Sequence, residues 1–212
     1  EDRAVIIGHD WGSVVAYHCG LFRPDLFRAV ALLSVPFLPW VSGKIPPMEI
    51  LKKIYGEDVF YQVYFQEPGK AEGEMEADVR KTMLSTLFSL SGSAPPEKRW
   101  RYVYRKSEKL LDTYYLPEKP PDWLAEKDVR YFVHEFQRTG FRGGLNWYRN
   151  IDRNWRATPF LAGAKLGARR ARSCGGGCRC PGIPRPGSGF CPSRRARPRR
   201  RGREDRGWRI AV

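Results

Sequence analysis

The sequence predicts an α/β fold on three observations. The apolar run Ala4-Val5-Ile6-Ile7 leads into Gly8-His9-Asp10-Trp11-Gly12 and then into the helix-compatible stretch Ser13-Val14-Val15-Ala16-Tyr17. A second apolar run, Ala29-Val30-Ala31-Leu32-Leu33-Ser34-Val35, follows Pro24. From residue 41 to about 157 the pattern changes to helical stripes broken by Pro- and Gly-containing loops. Near-continuous apolar strands around a crossover helix belong to parallel sheets covered on both faces, so 1–40 reads as a βαβ unit. The helical region then reads as a lid over the strand ends, where open α/β sheets place ligands.

The first strand is expected to end in a sharp turn. Small-x-acid-x-small between a strand and a helix reads as a nucleophile elbow, whose glycines permit strained backbone. Asp10 stands at its apex. A carboxylate is already ionised at neutral pH and can attack carbon directly, giving an enzyme-bound ester. The same spacing also suits a blander role, Asp10 as a helix N-cap after a Gly turn. The helix behind it is expected over 12–22, stopping near Pro24.

In the helical region, Met75, Val79, Met83 and Leu87 recur every four residues behind Glu72, Glu74, Glu76 and Asp78. Acids at the N-terminal end suit the helix dipole, so one helix is predicted there. A second is predicted over 124–138, with Val129, Phe132, Val133 and Phe136 on one face and Gly140 as its stop. A third is predicted over 144–156, where Trp147, Ile151 and Trp155 lie one turn apart. The stretch 93–121 is rich in Pro, Lys and Tyr and reads as loop, and 158–165 reads as the start of a return to the core.

A chain of 212 residues with 42% apolar and 13% aromatic side chains has enough material for one medium core. The composition is uneven, however. Of the net charge of +15, most sits in 166–212, which holds fourteen Arg, two acids, and neither Lys nor His. The headline charge therefore says little about what the folded part binds. That stretch shows no apolar periodicity and is expected to be a disordered Arg/Gly/Pro-rich tail translated out of frame. Its four Cys, Cys174, Cys178, Cys180 and Cys191, lack the paired C-x2-C spacing of common zinc sites. Its run Arg194–Arg201 could hold phosphates only without sequence preference. The body carries Cys19 alone, with no disulfide framework and no signal-like leader, which points to a cytoplasmic setting. No apolar run nears the roughly 18 residues of a membrane span. The chain opens at Glu1 on the approach to a strand, and residues are expected upstream.

Two further segments sharpen the reading of the elbow. These are Val59-Phe60-Tyr61-Gln62-Val63-Tyr64-Phe65-Gln66-Glu67-Pro68-Gly69 and Gly140-Phe141-Arg142-Gly143-Gly144-Leu145-Asn146-Trp147-Tyr148-Arg149-Asn150. Together with Gly8–Ser13 and the strand exit Ser34-Val35-Pro36-Phe37, they closely resemble the soluble epoxide hydrolases of the α/β-hydrolase superfamily over 3–165. The resemblance implies a partial α/β-hydrolase core (1–40), a mainly helical cap (41–157), Asp10 as nucleophile, and Tyr61 and Tyr148 as the two lid tyrosines. It implies a small-molecule epoxide and water as partners, no cofactor, no metal, no membrane and no specific nucleic acid. Opening an epoxide leaves an alkoxide, and two phenols can hydrogen-bond the ring oxygen and protonate it as the C–O bond breaks. The Trp11 N–H would supply one oxyanion-hole donor. The other structural aromatics, Trp147 and Trp155, read as lid core, His9 as packed within the elbow, and His18 and His134 as helix residues, none of them a general base.

The resemblance also exposes departures. A complete member carries, after the lid, a strand-end carboxylate and then a His that activates water on the ester. Here Thr158-Pro159-Phe160-Leu161-Ala162-Gly163-Ala164-Lys165 runs into a stretch without His. The expected product is a fragment equipped for the first half-reaction and stalled or inactive in the second, with a sheet of only two strands. Alternatives are a haloalkane dehalogenase-like hydrolase, which shares Asp-Trp at the elbow, and a non-catalytic fragment or nonspecific nucleic-acid binder working through the tail.

Overall fold

A computed structural model describes residues 3–40 and 43–166 and the backbone of 173–174, all within one unit of the chain. The expected βαβ unit is present. Strand β1 (Ala4–His9) runs into helix α1 (Trp11–Phe22) and returns as β2 (Phe27–Leu33). The strands pair in parallel, with Val5 opposite Ala29 and His9 opposite Leu33. Ala16 and Tyr17 of α1 pack on Val30 and Leu32, joined at the rim by Ile6, Phe37 and Leu166. Gly20 is what allows this approach, since a Cβ there would meet Val30 Cγ2 at 2.7 Å.

Only one sheet face is covered by α1. On the other, Val5 is 50% and Ile7 64% exposed. The expectation of two strands needs correction, because a two-residue strand within 166–212, Ser173–Cys174, pairs in parallel with Leu32 and Leu33. Apart from Leu166, the rest of that stretch, with the zinc, phosphate-binding and disorder readings attached to it, lies outside the described residues.

After β2, helix α2 (Pro47–Tyr55) opens a mainly helical segment. It leads to β3 (Asp58–Phe60) and the single turn α3 (Tyr61–Tyr64). The predicted helix through Met75 and Leu87 is two helices, α4 (Lys70–Ala77) and α5 (Val79–Ser89). Asp78 breaks the line at φ −147° and ψ 89° and caps α5 by accepting from the Lys81 N–H at 2.9 Å. The apolar stripe still converges, for Met75, Val79, Met83 and Leu87 all meet one core with Phe65, Leu110, Phe141 and Leu145.

The stretch read as loop holds a strand, β4 (Val103–Arg105), antiparallel to β3, and short 3-10 turns at Pro96–Lys98 and Leu110–Thr113. Two three-residue strands are too short for alternation to announce them. Helix α6 (Glu126–Thr139) matches expectation and stops at Gly140, at φ 67°. The third predicted helix is α7 (Arg142–Arg149) and α8 (Ile151–Ala157), separated at Asn150. Trp40 stacks on Trp155 at 5.7 Å and donates its indole N–H to the Trp155 carbonyl, while Asp152 accepts from the Met48 N–H. These contacts hold α2 against α8. Among the described residues no helix is long and apolar enough to cross a membrane.

Candidate active site

Asp10 sits between β1 and α1 at φ 53° and ψ −122°, a region that a residue with a side chain occupies only under strain. Gly8 makes the turn possible, because a Cβ there would stand 2.0 Å from the Gly12 carbonyl oxygen. Gly12 itself faces open space among the described residues, so only one of the two motif glycines is sterically required here.

Buried Ser13 fastens the turn from behind. Its hydroxyl lies 2.7 Å from the Gly8 carbonyl and 2.8 Å from the Leu33 carbonyl, and accepts from the Leu33 N–H at 3.2 Å. Having one proton, it donates to one carbonyl at a time while tying the ends of both strands together. Sequence reasoning overlooked Ser13; its place directly behind the elbow motif was the available signal.

The Asp10 carboxylate accepts from the Trp11 N–H at 2.7 Å through Oδ1. Trp11 then links the elbow to the helical segment, its ring 5.2 Å edge-on from Tyr148 and 5.8 Å from Trp147. Tyr148, on α7, lies 5.7 Å from Tyr61 and 5.0 Å from Phe65. Tyr61, at the start of α3, donates its N–H to the Tyr102 carbonyl and receives the Gln62 side-chain N–H on its hydroxyl at 2.9 Å. Burial first, and Tyr61 next, push Tyr148 up to about 12, so its phenol is a neutral donor at physiological pH. Burial also raises Tyr114, close to both phenols.

Asp10, Trp11, Tyr61, Gln62 and Tyr148 line one cavity of about 450 Å3. Its remaining wall is largely apolar and includes Phe37, Leu38, Trp40, Met48, Leu51 and Trp155. Reading Trp155 as lid core therefore needs correction. Trp147 is half-exposed and packs against Trp11 rather than within a core. His9 is exposed, not packed within the elbow, and His134 is exposed on α6. His18 lines the cavity, its ring tilted against Tyr17 and Nδ1 bonded to the Val14 carbonyl, but eight residues of helical rise, about 12 Å, separate it from Asp10. No group of His, Cys, Asp and Glu able to hold a metal occurs among the described residues.

Beneath the tyrosines lies a buried ion pair. Arg149 donates to both oxygens of Glu72 at 2.6 and 2.8 Å, and to the carbonyls of Phe65 and Glu67. The hydrogen bonds from the Arg149 guanidinium hold the Glu72 carboxyl down at about 2.

No family model matches the chain. It is 41% identical over 165 residues to Epoxide hydrolase A of Mycobacterium tuberculosis, covering 78% of this chain and 51% of that protein. Among solved structures, it is 41% identical to Epoxide Hydrolase A from Mycobacterium thermoresistibile, at a TM-score of 0.69, covering 79% of this chain and 51% of that one. It is 40% identical to an epoxide hydrolase from an endophytic Streptomyces, at a TM-score of 0.70, covering 78% and 50%. The chain thus spans about half the length of each of these relatives.

Proposed function

Because the chain belongs, over the 78% that aligns, to the epoxide hydrolase family of the α/β-hydrolase fold, we propose that Asp10 is the nucleophile of an epoxide-opening site roofed by Tyr61 and Tyr148. The observation that carries this reading is one cavity lined by a carboxylate at a strained elbow and by two phenols 5.7 Å apart. Residues 1–40 act as the partial core and 41–157 as the cap that brings the phenols over the carboxylate.

Asp10 Oδ2 attacks a ring carbon, forming the ester C–O bond as the ring C–O bond breaks. The ring oxygen takes a proton from a phenol, leaving a hydroxyl on the product and a tyrosinate that water reprotonates. Trp11 supports the next stage, since the oxyanion formed on ester hydrolysis develops on the Asp10 carbonyl oxygen, where its N–H already points. No His among the chain's three is placed to activate that water, so the ester accumulates.

Intact-mass analysis after incubation with styrene oxide tests this directly. The expected result is one added epoxide mass on the native chain and none on Asp10→Asn. Diol formed above background would contradict the stalled second half, and equal labelling of both proteins would contradict the assignment of Asp10.

A further inference from the structure

We propose that Arg149 and Glu72 are positioning residues for the two phenols, a clamp that sets the distance between Tyr61 and Tyr148. The proposal rests on the epoxide-opening reading of the same cavity. The two tyrosines lie 87 positions apart in sequence, on α3 and α7, and neither element is long enough to orient itself. What joins them is Arg149, the residue after Tyr148. Its guanidinium reaches the carbonyl of Phe65, that of Glu67, and both carboxylate oxygens of Glu72, so a single fork grips the chain just past Tyr61.

Glu72 is held in turn by the Gly69 N–H at 2.9 Å, which fixes the start of α4 to the same knot. Gln66 adds a parallel tie by donating to the Tyr148 carbonyl at 3.1 Å and to the Gln62 carbonyl at 2.8 Å. The Arg149 and Glu72 side chains are only 12% and 10% exposed. At that burial a charge pair with every donor aimed specifies one geometry, whereas an exposed pair specifies little. The guanidinium is the fitting group here because its planar fork serves several acceptors at once, and a Lys ammonium in its place would satisfy Glu72 while releasing the two carbonyls.

The test compares the native chain with Arg149→Lys and Glu72→Gln, with Arg80→Lys as a control in an exposed ion pair between α5 and α6. Two readouts are taken on protein whose circular dichroism is native: the nuclear Overhauser effect between the Tyr61 and Tyr148 rings, and single-turnover labelling of Asp10 by styrene oxide. Misplacement of the phenols should lower the maximal labelling rate about 10- to 100-fold in Arg149→Lys, with the half-saturating epoxide concentration within about twofold. The inter-ring effect should weaken in parallel, and Arg80→Lys should change neither. Should Arg149→Lys not fold, Glu72→Gln carries the same comparison with a smaller loss. Unchanged ring proximity in the folded variants would overturn the proposal. Absence of labelling in every protein, with ring proximity lost only in the clamp variants, would leave the clamp standing and sink the epoxide reading instead.

Discussion

At Asp10 the backbone is strained and Oδ1 accepts from the Trp11 N–H, and in the proposed reaction it is the other carboxylate oxygen, Oδ2, that attacks. Tyr148 complements it as a donor that burial and Tyr61 hold neutral up to about 12. In the proposed reaction the protonated phenol is the competent form; it is present below the raised value and lost only above it. Labelling of Asp10 should therefore hold level from pH 7 to about 10, where an ordinary tyrosine would be half ionised. A rate falling through pH 9 would contradict the role of Tyr148. Replacing it by Phe should slow labelling about 10- to 100-fold, since Tyr61 still offers one donor.

At the scale of elements, the site depends on joints more than on helices. Gly8→Ala would drive a methyl into the Gly12 carbonyl, which is backbone and cannot yield, and should cost about 3 kcal/mol or more of stability in denaturant titration. The clamp between α3 and α7 carries its own pH signature. Glu72 has its native value lowered from 4.5 to about 2, so its contribution to stability is full above the unfolded value and disappears as pH falls through about 2. The stability gap between the native chain and Glu72→Gln should be constant near pH 7 and shrink on acidification below about 4.5. A gap that widens with acid would contradict the pairing.

Much at this scale was legible in the sequence and some was not. The elbow, α1 and α6 follow from apolar patterning and from stops at Pro24 and Gly140. The breaks at Asp78 and Asn150 were hidden because the apolar stripes continue across them, although Asp78 is a strong cap residue. The β3–β4 pair and the Arg149 fork involve partners more than 40 positions apart, and local periodicity does not carry such pairings. Tyr61, Tyr148 and Asp10 were named from motifs; that they share a cavity with Trp40 and Trp155 is a product of folding.

For the whole molecule, the covered and uncovered faces of the sheet matter most. Among the described residues Val5 and Ile7 stay open on the second face, where parallel strands of this composition normally carry another layer. Apolar strands left in this state associate with other chains. Sedimentation of the purified chain should show association that grows with concentration, and Ile7→Lys should reduce it. A strictly monomeric native chain at high concentration would contradict this.

In the proposed reaction Asp10, on its strained turn, opens a three-membered ether whose oxygen is held by Tyr61 and Tyr148, the three residues lining one cavity. Peptide mapping after exposure to styrene oxide tests it most directly. One ester is expected, on the peptide bearing Asp10, formed more slowly when either Tyr61 or Tyr148 is Phe; an adduct on another residue, or labelling indifferent to both tyrosines, would contradict this assignment.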